Sequence, residues 1–294
     1  DNFYLTSNGS SAIYISLLAL DIKQTDEIIL PAYVCKNVLD AVLHIGAKPV
    51  LCDIGEYWCM TPENVENLIN EKTKAIIIVH PLGLYCNIEQ FKRYNVKIIE
   101  DCCQCFARYI HVYKTLQHSD IAVYSFNAIK CLTTGEGGGI STHNEDIADR
   151  ISTILQNKSI ANPLSDINCA LGISQLNRYE VALEKRQEIA NIYFENINEK
   201  LLVDFTKVKQ QSMFYRFLLT SDDIDFLDMQ EKLFEKGICI RKGIDSYIKL
   251  NSNQEFNNSE RSLKRTISIP IYPSLTIQEV EYIYNSVNSY YDEL

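Results

Sequence analysis

Three short stretches of this chain set polar side chains against apolar runs in a way that allows chemistry. In Ser125-Phe126-Asn127-Ala128-Ile129-Lys130 an apolar run gives way to a polar turn holding one lysine, followed by Gly135-Glu136-Gly137-Gly138-Gly139. A lysine amine can condense with an aldehyde and can carry a proton, although most lysines are simply solvated. Glu100-Asp101 closes the run Val96–Ile99 and is followed by Gln104. A carboxylate placed there can cap a helix, bind a metal or pair with a ring nitrogen. Ser7-Asn8-Gly9-Ser10-Ser11-Ala12 is a small polar turn directly before a helical stretch. Its backbone N–H groups and the helix dipole suit a phosphate, and an ordinary N-cap is the plainer reading. Taken together, the three supply what pyridoxal phosphate (PLP) needs: a phosphate cradle, an acid for the pyridine nitrogen and a lysine to form an imine.

The elements around these residues read as an α/β chain. Apolar runs at Glu27–Pro31, Pro49–Ile54, Ala75–His80, Val96–Asp101 and Ile121–Phe126 alternate with helical stretches at Ser11–Leu20, Val34–Ile45 and Pro62–Ile69. Several runs are apolar on both faces, as buried parallel strands are. Thr61 with Pro62 marks a helix start. From Ser165 to about Glu199 the pattern is helical, as one helix or two abutting ones. A strand at Met213–Thr220, a helix at Phe226–Lys236 stopped by Gly237, a short strand at Ile238–Arg241 and a last helix at Ile277–Tyr291 follow. The polar stretch Asn251–Glu260 reads as a loop. The expected organisation is a large α/β domain over 1–165, a helical interdomain region over 166–200 and a small α+β domain over 201–294.

Composition narrows the class. With 28 Lys and Arg against 38 Asp and Glu, the formal charge is −10, and the basic residues are scattered; a nucleic-acid surface or an anionic membrane is not expected. No apolar run approaches the roughly 20 residues a spanning helix needs, so the chain reads as soluble. The ten cysteines are irregularly spaced in a large chain without a secretory leader, which fits reduced thiols in a cytoplasm. Cys102, Cys103 and Cys105 lack a second pair at zinc-site spacing and read as core cysteines; no metal is expected.

The sequence resembles the DegT/StrS-type sugar aminotransferases, a branch of the fold-type-I PLP enzymes, over nearly its whole length. The resemblance runs through Ser7–Ala12, Asp26–Tyr33, Gly46–Val50, Ile98–Asp101, Ser125–Lys130, Leu164–Asn168 with Ala170–Gly172, and Ile269–Pro273. It implies a mostly parallel central sheet sandwiched by helices, with PLP held as an imine on Lys130. The amides of Gly9 and Ser10 with the hydroxyls of Ser10 and Ser125 would hold the phosphate, Asp101 would pair with the ring nitrogen, Gln104 would lie against the ring or its phenolic oxygen, and Ser11 and Asn127 would belong to the cofactor-binding set. It further implies a cytoplasmic homodimer in which Asn162 reaches the neighbouring cofactor. His80 matches a family histidine near the site, and a core histidine is an equal reading. Arg216 and Arg241 are candidates for a substrate carboxylate or diphosphate, against a default of surface ion pairs. The reaction implied is amino transfer, from glutamate, onto a nucleotide-linked keto-sugar.

The sequence departs from that pattern where the family stacks an aromatic residue on the ring: the place falls on Cys35. The segment that normally precedes the phosphate turn is missing, and the connections near 106–118 and 158–162 are compressed. Another keto substrate and a non-catalytic binding relative are the alternatives. The dehydratase branch carries histidine in place of the lysine, so Lys130 speaks against dehydration. A nicotinamide dehydrogenase needs its glycines after the first strand, and Gly135–Gly139 lies elsewhere.

Overall fold

In the computed structural model, which describes residues 2–106, 115–157, 163–202, 208, 212–251 and 253–294, the apolar runs pair into one sheet. Its strands are β1 (Asn2–Thr6), β2 (Glu27–Pro31), β3 (Lys48–Cys52), β4 (Thr73–Val79), β5 (Lys97–Asp101), β6 (Ile121–Ser125) and β7 (Gly138–Thr142). They lie in the order β1-β7-β6-β5-β4-β2-β3. Strands β3, β2, β4, β5 and β6 run parallel, β7 is antiparallel to β6, and β1 is antiparallel to β7.

Strand alternation explains why these runs are apolar throughout. Ile28, Leu30, Ala75, Ile77 and Val79 pack on one side with α1 (Gly9–Ala19), α2 (Lys36–His44) and α4 (Glu145–Gln156). Ile29, Ile76 and Ile78 pack on the other with Val65 of α3 (Pro62–Glu66) and with Phe91. Because these five strands run in one direction, their carboxyl ends lie along one rim.

Beyond α5 (Asp166–Leu176) and α6 (Tyr179–Asn196) the chain forms a second sheet. Strands β8 (Phe217–Thr220), β9 (Arg241–Lys242) and β10 (Thr266–Ile269) lie in the order β8-β10-β9, all antiparallel. Helices α6, α7 (Phe226–Glu235) and α9 (Ile277–Asp292) cover it through Tyr193, Met229, Leu233, Val280 and Val287.

The sequence reading needs correction in several places. Asn251–Glu260 is not wholly loop, since α8 (Asn257–Arg265) begins inside it. Only Ser259 of that helix is buried, so no apolar stripe announces it. Residues 213–216 precede β8 rather than belonging to it, with Phe214 in the left-handed region at φ 50°. The helix expected from Val34 begins at Lys36, with Cys35 as its N-cap. The expectation that all thiols are reduced fails at Cys59–Cys86, which form a disulfide across 27 residues. Nothing in the spacing marks that pair; tertiary placement brings the two turns together. Much of 106–118 and all of 158–162 lie outside the described residues.

Asp53, just beyond β3, fastens α8 to the large sheet. Its Oδ1 accepts from Ile54 N–H, Ser259 N–H and Ser259 Oγ–H, and its Oδ2 accepts from Asn258 N–H. Asp53→Ala strands donors at the helix start, so a loss of about 1–3 kcal/mol is expected. A lower denaturant midpoint with an unchanged m-value would show it.

Candidate active site

The carboxyl ends of parallel strands carry their polar residues into the crevice where ligands bind open α/β sheets. Asp101 ends β5, Ser125 ends β6, and Lys130 stands on the turn that follows. The start of α1 faces them. A cavity of about 380 Å³ is lined by Gly9, Ser10, Asp101, Gln104, Ser125, Asn127 and Lys130 together.

The start of α1 leaves backbone N–H groups free beside the cavity. Asn8 is the N-cap: its Oδ1 accepts from Ser11 N–H at 2.8 Å, and its carbonyl accepts from Ala12 N–H at 3.1 Å. The Gly9 and Ser10 N–H groups of the same turn have no partner among the described residues and sit on the cavity wall. Close approach is enforced by glycine at two points. A Cβ on Gly9 would stand 2.9 Å from Ser125 Cβ and 3.1 Å from Cys103 Sγ, and one on Gly138 would stand 2.4 Å from the Asn8 carbonyl oxygen. Ser11 is turned away from the cavity, with its N–H on Asn8 and its hydroxyl 3.0 Å from that of Ser7. Asn162 lies outside the described residues.

Asp101 is 3% exposed, and its Oδ1 accepts from Cys103 N–H at 2.9 Å, which fixes the carboxylate. Gln104 Oε1 accepts from the N–H of Leu82, a residue held at φ 59°, so its amide orientation is set by backbone. Asn127 Nδ2 donates to Glu136 Oε1 at 2.6 Å, and its Oδ1 accepts from Ile129 N–H, bracing the turn. Lys130 N–H donates to the Asn127 carbonyl, and its ammonium lies 5.3 Å from the centroid of the Tyr215 ring. An aromatic face near a cation holds it without neutralising it.

Several cavity residues are absent from the site expected from the sequence: Asn8, Ile13, Val34, Asn37, Val38, Val79, Cys103 and Glu136. Cys103 is the instructive one. The sequence reading grouped it with core cysteines, but Cys102 and Cys105 are buried while Cys103 lines the cavity. Its position two residues past Asp101 was the available signal. As a residue it is only partly buried, yet its sulfur is enclosed; that burial, and then the charge of Asp101, pushes its thiol well above the ordinary range. A thiol held neutral in this way is a weak nucleophile. Cys35 also lines the cavity and is exposed, so no aromatic ring occupies that place.

His80 is fully buried, away from the cavity, with its Nε2 3.0 Å from Glu100 Oε1. Arg216 and Arg241 line a neighbouring cavity of about 770 Å³, which meets the first at Ile129. Among the described residues no helix is long and apolar enough to cross a membrane.

The residues present fit a phosphorylated aldehyde cofactor: two unpaired N–H donors in a cradle that a Cβ would fill, a fixed carboxylate and an amine around one cavity. Fold and site define a PLP-dependent aminotransferase. The chain belongs to the DegT/DnrJ/EryC1/StrS aminotransferase family, whose model matches residues 3–288. It is 30% identical to GDP-perosamine synthase of Escherichia coli O157:H7 over 312 residues, covering 98% of this chain and 85% of that protein. It is 26% identical to 3-oxo-glucose-6-phosphate:glutamate aminotransferase of Bacillus subtilis over 310 residues, covering 93% and 68%. In fold it is similar to the structure of NtdA from Bacillus subtilis with bound cofactor PMP, at a TM-score of 0.87 and 24% identity over 97% of this chain and 72% of that one.

Gly9→Ala tests the cradle directly. The added methyl group overpacks the contact with Ser125 and Cys103, and PLP affinity is expected to fall by about tenfold or more. Titration of the apoprotein with PLP, followed by absorbance, measures it.

Proposed function

We propose that the chain transfers an amino group from glutamate to a keto-sugar carried by a nucleotide. The observation that carries this reading is the convergence of Lys130, Asp101, Ser125 and the Gly9 and Ser10 N–H groups on one cavity. In this reading the two N–H groups and the hydroxyls of Ser10 and Ser125 hold the phosphate, and Asp101 keeps the pyridine nitrogen protonated. Gln104 and Asn127 border the ring, and Lys130 carries the cofactor. Bound PLP supplies the electron sink for negative charge at the substrate carbon. The Lys130 amine would be the group that takes up and gives back the proton at the substrate carbon.

The adjoining cavity suits the acceptor. Arg216 and Arg241 bring positive charge to it, and Tyr272 and Tyr282 bring aromatic surface. The keto-sugar assignment draws on the names of the relatives, and one of them acts on a sugar phosphate with glutamate as partner. A sugar phosphate is therefore the second reading for the acceptor.

The same proposal makes the protein a cytoplasmic homodimer, divided at 165 and 200 into a cofactor domain, a helical connector and a C-terminal domain. Helix α5 supports the dimer: Ile167 is 84% exposed, Ile173 62% and Leu176 51%, an apolar surface suited to cover by a second copy. The test is the absorbance spectrum of purified protein with PLP, before and after glutamate, and then with a nucleotide-linked keto-sugar or a keto-hexose phosphate. The expected result is a lysine-dependent band that glutamate converts to the amine form and one acceptor restores. If no lysine-dependent band forms with excess PLP, the enzyme reading fails.

A further inference from the structure

Strand alternation sends the side chains of Glu100 and Asp101 to opposite faces of β5. Asp101 borders the cavity, and Glu100 is wholly buried behind it. Among the described residues Glu100 is met by at least four donors. His80 Nε2–H at 3.0 Å and Cys102 Sγ–H at 3.4 Å meet Oε1, while Leu116 N–H at 3.1 Å and Ser119 Oγ–H at 2.6 Å meet Oε2. The protonation states follow from these partners. His80 Nδ1 accepts from Cys86 N–H at 3.0 Å, so the ring proton sits on Nε2 and the imidazole is neutral. A group met by four donors is the carboxylate form. The trio His80, Glu100 and Cys102 has ligand-type atoms within 4.8 Å of one another, but the ring nitrogen facing the others carries a proton, and hydrogen bonding accounts for the cluster without a metal.

Burying an anion is costly, and an apolar residue of similar volume would fill the space at lower cost. What a carboxylate adds is direction. Through its partners Glu100 ties the end of β4, the turn at Cys86 and the 116–119 return into β6 to the residue beside Asp101. His80 contributes a second tie, since its backbone N–H donates to the Asp101 carbonyl at 3.1 Å. We infer that Glu100 is a positioning residue: with His80 it holds the end of β5 so that the Asp101 carboxylate is aimed at the cofactor's ring nitrogen, and its own negative charge adds to the potential there. This rests on the PLP reading of the cavity.

A double-mutant cycle on PLP affinity tests it, because a merely structural role would weaken binding alike whatever stands at position 101. Glu100→Gln is expected to weaken PLP binding by about tenfold when Asp101 is present and by less than about twofold in the D101N background. Where Glu100→Gln fails to fold, Ser119→Ala removes one donor and leaves the carboxylate, and about a threefold weakening that vanishes in D101N is expected. Equal weakening in both backgrounds, or unchanged affinity in the Asp101 background, overturns the inference alone. Failure of the unsubstituted protein to bind PLP overturns the cofactor reading and this inference with it.

Discussion

Lys130→Ala is expected to lose turnover by at least about 10³-fold while retaining its fold, because in the proposed function the substitution removes both the attachment point and the proton carrier. The residue stands on a turn, partly buried, and its side chain makes no hydrogen bond within the described structure that the fold depends on, so unfolding free energy should change by no more than about 0.5 kcal/mol. The phosphate cradle is untouched, so the variant should still bind PLP, more weakly, without the lysine-dependent band. Single-turnover rates with glutamate, together with a denaturant melt, separate the two effects. Turnover at the level of the unsubstituted protein would end the assignment of Lys130. Partial recovery with a small primary amine would point to the proton-carrying role specifically.

Asp101→Asn should cost about 10²–10³-fold in kcat at saturating PLP and donor. The amide keeps the shape and can still accept from Cys103 N–H, but it cannot hold a proton on a ring nitrogen by charge. The loss should therefore fall on kcat rather than on the donor KM, since the effect grows with negative charge at the reacting carbon. Activity within about threefold of normal would mean that the carboxylate has another task.

What could be read from the sequence follows the physics of burial. Strands β2 to β6 are apolar on both faces because both faces are covered, and that pattern is local. Asn8, Thr61 and Ser165 accept the N–H groups of Ser11, Asn64 and Asn168 at their helix starts, which small polar residues before a helical stretch suggest. Strand β7 gave no such signal: Gly138-Gly139-Ile140-Ser141-Thr142 opens on two glycines and has little apolar pattern, and it is a strand because β1 and β6 flank it. Helix α8 lacks an apolar face and takes its start from Asp53, 205 residues earlier in the chain, which no local window contains.

The site divides in the same way. Lys130, Asp101 and Ser125 stand at strand ends or on the turn after one, where position along the chain determines position in the crevice. Ser10 and Ser11 are adjacent and chemically alike, and only the cap geometry of Asn8 decides which faces the cavity. Cys103 and Glu136 entered through the path of loops, and Arg216 and Arg241 through a second sheet whose placement no spacing in the sequence conveys.

The pairing of β1 with β7 has a consequence for the order of events during synthesis. Thr6 is opposite Gly138 and Asn2 opposite Thr142, so the residues leading into the α1 turn are held by a strand made more than a hundred residues later. A growing chain that has not yet released Thr142 can pack α1 against α2 and β6, but it lacks the strand that holds the residues leading into the Gly9 turn. Fragments ending before that strand are therefore expected to form their helices and yet to bind PLP less tightly than the whole chain, because the approach to the phosphate turn is left without its flanking strand.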